Sequence, residues 1–159
     1  MKYVLLSILF LIPLSSFSQS SEEKEQVRKT VEAFFEGFHN RDSVQMRSVF
    51  HPEAVVQTIG KNRSGETTLK SEELGKVIQS IASIPDTLDF KEVLHAFHIQ
   101  IDGEMANVWT PYSFYINGNL SHCGVNNFQL VNLNQEWKVV YLVDTRRREG
   151  CQDPDQKGN

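Results

Sequence analysis

The period of the hydrophobic pattern changes once along this chain, and that change limits the folds open to it. Before Asp89, apolar residues recur every three to four positions, as in amphipathic helices. After Asp89, they alternate at every second position, as in half-buried strands. Helices followed by a run of strands predict an α+β fold rather than alternating βαβ units.

Three helices are predicted in the N-terminal half. The first spans residues 20–40, a short second one begins at Asp42 or Ser43 and ends at Phe50, and a third opens at Ser71 and stops before Pro85. A short strand is predicted over residues 54–59, followed by a polar loop to residue 68. The first helix carries an aromatic stripe that is best interpreted as a core face.

Four long strands are predicted in the C-terminal half, over residues 90–101, 105–115, 120–133 and 137–147. Asp102-Gly103 and Asn117-Gly118 are two-residue hairpin signals, so neighbouring strands should be antiparallel. The predicted architecture is α+β, with three N-terminal helices packed on a strongly curved, mostly antiparallel sheet that forms a cone-shaped pocket.

The two hairpin turns predict registers that differ by one residue, so they place opposite faces of the second long strand in the core. Because proline cannot donate to the strand ladder, Pro111 is a natural place for a bulge. One extra residue near 109–112 reconciles the two faces, since a single slip flips every side chain. This register would place Val108 beside Asn126.

The third long strand carries polar side chains on its predicted core face. His122 and Asn126 share parity with the apolar Phe128, so an imidazole and an amide should point to the concave side. Gly124 between them would leave room for something to approach. The last strand stays ambiguous: a two-residue turn puts Val143 and Thr145 inward, and an odd-length turn puts Asp144 and Arg146 inward.

The N-terminus predicts export. Lys2 precedes an apolar run from Tyr3 to Leu14, and small residues at 16 and 18 suit cleavage before Gln19. The apolar run is too short for an ordinary membrane span, although an uncleaved anchor is the alternative. Residues 1–18 are therefore predicted to be a signal peptide and residues 19–159 a single domain. The mature protein would be periplasmic or extracellular, with no stable membrane span.

Charge and cysteine content narrow the function classes. Sixteen basic against twenty acidic residues give a net charge of −4, which argues against nucleic-acid binding through phosphate contacts. The five His and two Cys are too scattered to predict a metal site. Export would permit a disulfide between Cys123 and Cys151, and two free thiols are the alternative.

Several motifs together resemble a known family. They are Phe34-Phe35-Glu36-Gly37, Phe50-His51-Pro52-Glu53-Ala54, and the strand segments 108–114, 122–128, 137–139 and 144–147. The layout resembles the nuclear transport factor 2-like fold, and the strand motifs resemble its putative lumazine-binding family. The resemblance implies a pterin-like or flavin-precursor ligand and a homodimer formed through the open sheet face. The fold also includes ketosteroid isomerase, scytalone dehydratase and non-enzymatic binding proteins, so it does not decide function.

Two sets of candidate site residues follow. His122 and Asp144 could form an oriented general base, although a hydrogen-bonded core histidine is the simpler interpretation. The candidate ligand-binding residues are Asn126, Tyr112, Trp109, Phe35, Phe128 and Arg146. Amide and guanidinium groups would orient a ligand, and the aromatic rings would stack on it, although sheet aromatics more often simply pack.

Three functional hypotheses remain open on the sequence. The first is an exported protein that binds a small heterocycle, pterin-like or apolar, in a pocket lined by His122, Asn126 and aromatic residues. The second is an isomerase, dehydratase or hydrolase that needs no cofactor and uses His122 as its base. The third is a dimeric interaction module.

Overall fold

The computed structural model describes residues 16–151, with side chains from residue 21 onward. Most of the predicted signal peptide therefore lies outside the described residues. None of the helices in the described part is long and apolar enough to cross a membrane. The elements in chain order are α1 Ser16–His39, α2 Ser43–Ser48, β1 Phe50–Lys61, β2 Thr67–Glu73, α3 Leu74–Ala82, β3 Phe90–Leu94, β4 His98–Asp102, β5 Met105–Ile116, β6 Asn119–Leu133 and β7 Glu136–Arg147.

The seven strands form one curved sheet in the order β2-β1-β7-β6-β5-β3, with β4 also paired to β5. Every pairing is antiparallel except that of β1 with β7. The helices pack on one side of the sheet. The α+β fold predicted from the change in hydrophobic period is confirmed.

Strand β2 was not predicted by the sequence pattern. It pairs antiparallel with β1, from Val55 opposite Glu73 to Lys61 opposite Thr67. Nearly all of its residues are exposed, so β2 has no buried face to produce an alternating pattern. The third helix consequently begins at Leu74 rather than at Ser71.

The bulge predicted near 109–112 is in the wrong place. From Ala106 to Phe114, strand β5 pairs with β6 in one unbroken register that places Val108 opposite Phe128, not Asn126. The shift lies beyond Phe114 and leaves Ser121 of β6 as the extra residue. Pro111 instead lies where the other neighbour of β5 is divided into β3 and β4, consistent with its missing N–H.

A second bulge decides which face of β7 is buried. The β6–β7 turn has two residues, because Leu133 pairs with Glu136, and this length alone would turn Val143 inward. Val140 is an extra residue in β7, and the register shifts there by one. Asp144 therefore faces the same side as Asn126, its cross-strand partner, and Asp144 is buried.

The aromatic stripe of α1 fills one end of the concave sheet face. Phe34 and Phe35 are buried, and each ring lies 6.0 Å from the ring of Phe128. Phe34 also meets Phe50 in an edge-to-face contact. This half of the concave face is a packed hydrophobic core.

Candidate functional site

The other end of the concave face carries polar side chains, here called the polar cluster: Glu92, Thr110, Tyr112, Asn126 and Asp144. The strand registers place Thr110, Asn126 and Asp144 in one row across β5, β6 and β7. All three are buried, and Thr110 is 0% exposed. Strand β3 adds Glu92 at the edge of the sheet. Residues of four strands thus contribute to one site.

The centre of the polar cluster is a hydrogen bond between a carboxamide and a carboxyl group. Asn126 Nδ2 donates to Glu92 Oε1 at 2.6 Å. Burial, opposed by this hydrogen bond but reinforced by the nearby charge of Asp144, raises the pKa of Glu92 to about 7. The Glu92 carboxyl group can therefore hold or release a proton near neutral pH.

A second group of hydrogen bonds forms around the Asp144 carboxylate, which accepts all of them. It accepts from Thr58 Oγ1 at 2.6 Å, from Arg146 Nε at 2.7 Å and from the Tyr112 hydroxyl at 3.3 Å. Burial and the negative charges of Asp144 and Glu92 raise the pKa of Tyr112, so its hydroxyl stays protonated. The Arg146 side chain remains 54% exposed, against 10% for Asp144, so the cluster extends from solvent to the interior.

Gly124 does not leave an open space, contrary to the sequence-based expectation. A Cβ at this position would lie 1.7 Å from the Thr145 carbonyl oxygen and 2.9 Å from Tyr112 Cε1. The Tyr112 ring occupies the space, and its hydroxyl also donates to the Thr145 carbonyl at 3.0 Å. The glycine therefore lets β7 and the Tyr112 ring approach β6 closely.

His122 does not form the predicted pair with Asp144. Its Nδ1 lies 3.2 Å from Ser121 Oγ, and its ring packs 4.8 Å from the Phe114 ring. The carboxylate of Asp144 is instead hydrogen-bonded to the groups described above. Burial and the nearby Arg146 charge lower the pKa of His122, which makes the ring neutral at physiological pH.

The remaining predicted ligand-binding residues lie elsewhere. Phe35 and Phe128 pack against each other at the apolar end. Trp109 pairs with Asn127 and His98 and is 46% exposed on the convex face, so it does not enter the concave site. The prediction that Trp109 lines the pocket is wrong, because Trp109 lies between Val108 and Thr110, which both point to the concave side. Of the predicted residues, the structure brings Asn126, Tyr112, Asp144 and Arg146 together and leaves His122 at the margin.

A disulfide joins Cys123 and Cys151, whose Cα atoms are 5.6 Å apart. It ties the segment after β7 to the strand that carries His122 and Asn126. The cross-link therefore lies at the same end of β6 as the polar cluster.

The clearest cavities in the described part of the chain are separate from the polar cluster. One of about 560 Å³ lies between α2 and α3, near Arg47 and Ile78. Another of about 530 Å³ lies between the start of α1 and β4, near Lys24 and Ile99. Within the described residues, no three His, Cys, Asp or Glu side chains are grouped so that they could hold a metal ion.

Sequence reasoning missed Glu92, Thr110 and Thr58. For Glu92 a signal existed, because Phe90, Glu92 and Leu94 alternate along one face of a predicted strand. A glutamate between two inward apolar residues is expected to be buried with a partner. Thr110 and Thr58 have no comparable signal, because threonine is common on both faces of sheets.

Sequence comparison identifies the family. The model of the family described as putative lumazine-binding matches residues 22–143. The chain therefore belongs to the putative lumazine-binding family. A comparison with curated proteins found no match.

Comparison with solved structures supports the same fold. A protein described as a putative dehydratase of the nuclear transport factor 2-like family, from Streptomyces avermitilis, matches with a TM-score of 0.65 at 17% identity, over 81% of this chain and 99% of that one. The β subunit of a putative aromatic-ring-hydroxylating dioxygenase from Novosphingobium aromaticivorans matches with a TM-score of 0.65 at 8% identity, over 84% and 95%. A Mycobacterium tuberculosis protein of unknown function reaches 0.68 at 7% identity, over 91% and 85%.

Proposed function

We propose that this protein binds a small heterocycle at the polar end of its concave sheet face. The observation that carries the proposal is the partly buried hydrogen bond from Asn126 to Glu92, with Thr110 opposite Asn126 in the sheet. Buried polar groups are costly unless they are paired, and a few of them at the edge of an apolar surface are typical of ligand sites. The family description is consistent with a ligand that contains a lumazine-like ring.

Each side chain would have a distinct role. Asn126 and Glu92 would read polar atoms on the ligand edge. Arg146 would meet a group nearer solvent, while Asp144 would hold Arg146 and Tyr112 in position through its hydrogen bonds. His122, neutral and stacked near Phe114, would border the ring. Phe35 and Phe128 would form the apolar floor beneath the site.

Mass spectrometry of compounds that co-purify with the protein tests this function. A titration with lumazine, followed by its own fluorescence, gives the affinity. We expect Asn126→Ala to weaken binding by about tenfold or more, since a buried hydrogen-bonding group is worth about 1–3 kcal/mol. The control is Asn132→Ala, the same change six residues along the same strand. Equal affinities for Asn126→Ala and wild type, with nothing co-purifying, would refute the proposal.

Catalysis of a proton transfer is a second candidate function, favoured by the pKa of about 7 for Glu92. An acid–base group is most effective when its pKa lies near the working pH. Glu92 replaces His122 as the best candidate base, because the carboxylate of Asp144, the predicted partner of His122, is hydrogen-bonded to Thr58, Arg146 and Tyr112 instead. In D2O, catalysis would introduce deuterium at a carbon of the bound compound, and Glu92→Gln would abolish it. Unchanged exchange in that variant would remove Glu92 from this role.

We propose that two copies associate through the convex sheet face. The outward side chains in the middle of β1, β7, β6 and β5 are uncharged: Val55, Gln57, Ile59, Tyr141, Val143, Thr145, Val125, Asn127, Gln129, Asn107, Trp109 and Pro111. Charged side chains such as Lys61 and Arg147 lie at the ends of these strands. A charge-depleted centre that contains aromatic residues is typical of protein interfaces.

Sedimentation of the purified protein tests this association. We expect a dimer that Trp109→Asp converts to monomer, because the substitution buries an unpaired charge within the interface. Val44→Asp, at a residue that is 77% exposed on α2, is the control and should leave the dimer intact. A wild-type protein that is monomeric at high concentration would refute the dimer.

We propose that the protein is exported to an oxidising compartment. The Cys123–Cys151 disulfide supports this location, because such cross-links persist mainly outside the cytosol. The mass of the mature protein from its source would reveal cleavage before Gln19. Alkylation before and after reduction would show whether the thiols are cross-linked. An intact N-terminus on a protein recovered from the cytosol would refute export.

A further inference from the structure

The polar cluster contains hydrogen-bonding capacity that the protein itself does not use. Among the described residues, Asn126 is the only hydrogen-bond partner of the Glu92 carboxyl group, and its side-chain amide donates to Glu92 Oε1. Thr110 lies directly opposite Asn126 in the sheet and is 0% exposed, and its hydroxyl has no hydrogen-bond partner within the part of the chain that the structure describes. Buried polar atoms without partners cost free energy, so each calls for an explanation, and a bound molecule that supplies the missing hydrogen bond is one.

The protonation state of a carboxyl group determines which ligand edge it can pair with. A protonated carboxyl offers one donor and one acceptor side by side, and an ionised carboxylate offers acceptors only. A cyclic imide has an N–H between two carbonyls, so its edge offers a donor next to an acceptor. The imide edge can make two hydrogen bonds with a protonated carboxyl group. With an ionised carboxylate it can make only one, from its N–H, because the imide carbonyl oxygen then faces a negatively charged oxygen.

We propose that Glu92, in its protonated form and oriented by Asn126, recognises the imide edge of an uncharged heterocycle, and that the hydroxyl of Thr110 completes the site. The ligand N–H would donate to Glu92 Oε1, which has a second lone pair beside the Asn126 bond, and the proton on Oε2 would be donated to a ligand carbonyl. This inference rests on the proposed ligand-binding function and specifies the chemical class of the ligand.

The surroundings of Glu92 favour the protonated form. The groups that face it are Asp144 and Arg146 from β7, Tyr112 from β5 and Asn126 from β6, and His39 of α1 accepts from its backbone N–H at 3.0 Å. His122 lies one strand further away, beyond Phe114. Asp144 opposes ionisation of Glu92, while Arg146, which is paired with Asp144, favours it. Burial lowers the pKa of both His39 and His122, so neither ring supplies a full positive charge near neutral pH.

Glu92→Gln separates this mechanism from other effects of pH. A glutamine keeps the donor and the acceptor of the protonated glutamate and cannot ionise. The experiment measures the affinity for lumazine, which carries a cyclic imide, at about pH 6 and about pH 8 in wild type and in Glu92→Gln. Ionisation of lumazine itself affects both proteins equally and cancels in the ratio of their affinities.

We expect wild type to lose about tenfold in affinity relative to Glu92→Gln between the two pH values, because a group with a pKa near 7 changes from mostly protonated to mostly ionised. Pterin, in which an amino group replaces one imide carbonyl, provides the contrast. Its two neighbouring N–H donors match an ionised carboxylate, so wild type should not lose pterin affinity at the higher pH.

Three results would overturn the inference. They are a constant ratio of wild-type to Glu92→Gln affinity, an equal fall for lumazine and pterin, and no binding of lumazine to wild type at about pH 6. In the last case, a co-purifying compound of other chemistry whose binding is lost in Asn126→Ala would leave the proposed function standing. As a check that does not depend on the variant's fold, infrared spectra of wild type should show a protonated carboxyl group at about pH 6 that disappears at about pH 8.

Discussion

The two ends of the concave sheet face are built from the same strands, but one end is packed with apolar side chains and the other carries hydrogen-bonded polar ones. At one end, Phe128 is sealed beneath Phe34 and Phe35, and the packing is entirely apolar. At the other end, two residues along the same strands, Asn126 and Asp144 lie in a hydrogen-bonded network that reaches solvent at Arg146. The apolar end is a source of stability, and the polar end is where we propose that a ligand binds, at some cost in stability.

The largest effect is expected from opening the apolar end. Phe128→Ala should lower the free energy of unfolding by about 3–5 kcal/mol, since it removes a fully buried ring and leaves a cavity. Urea denaturation measures this change. Val125→Ala, on the convex face of the same strand, should cost about 1 kcal/mol or less. Equal losses would mean that the two faces contribute equally to stability.

The disulfide should be the main covalent support of the polar end. Cys151→Ser removes a cross-link between residues 28 apart in sequence, which should cost about 3 kcal/mol through the larger entropy of the unfolded chain. Thermal unfolding with and without a reductant measures this loss. Reductant should lower the melting temperature of wild type and leave that of Cys151→Ser unchanged. A reductant effect in the variant would point to another cause.

Removing the Asp144 carboxylate, which accepts several hydrogen bonds at the polar end, should lower the free energy of unfolding by a smaller amount. Asp144→Ala leaves the Thr58 hydroxyl without its acceptor and Arg146 without its ion pair, while the Tyr112 hydroxyl keeps the Thr145 carbonyl as an acceptor, and we expect a loss of about 2 kcal/mol. Thr58→Val, which removes one of those donors with little change in shape, should cost less. Chemical denaturation of both variants gives the comparison. A greater loss for Thr58→Val would contradict this ranking.

The smallest effect, when it is taken per pH unit, and the one with the clearest sign, concerns pH. The folded protein holds the Glu92 proton up to about pH 7, and the unfolded chain releases it near the ordinary value of 4.5. Between these values the folded state binds more protons, so stability falls as pH rises, by at most about 1.4 kcal/mol per pH unit. Glu92→Gln should remove this slope. Parallel pH dependences for the two proteins would show that other groups produce it.

Much of the concave site could be predicted from sequence periodicity. The alternation in β6 indicated that Asn126 shares a face with Phe128, and the structure has both residues buried there. The Asn117-Gly118 turn fixed the local hairpin register, since Ile116 pairs with Asn119. Glu92 could have been found by the same reasoning, because it alternates with Phe90 and Leu94. Strand β2, which is exposed on both faces, left no such pattern.

The alternation of side chains along a strand is local, so the amino-acid order alone determined the α+β class, the extent of the last three strands to within one residue, and the inward direction of Asn126. Tertiary structure decided which side chains contact one another in the site. The extra residue Val140 turns Asp144 inward despite a two-residue hairpin, and strand β3 brings Glu92 to Asn126. A bulge changes the facing side by one residue, and its position depends on how neighbouring strands and helices pack together, so no short stretch of sequence specifies it.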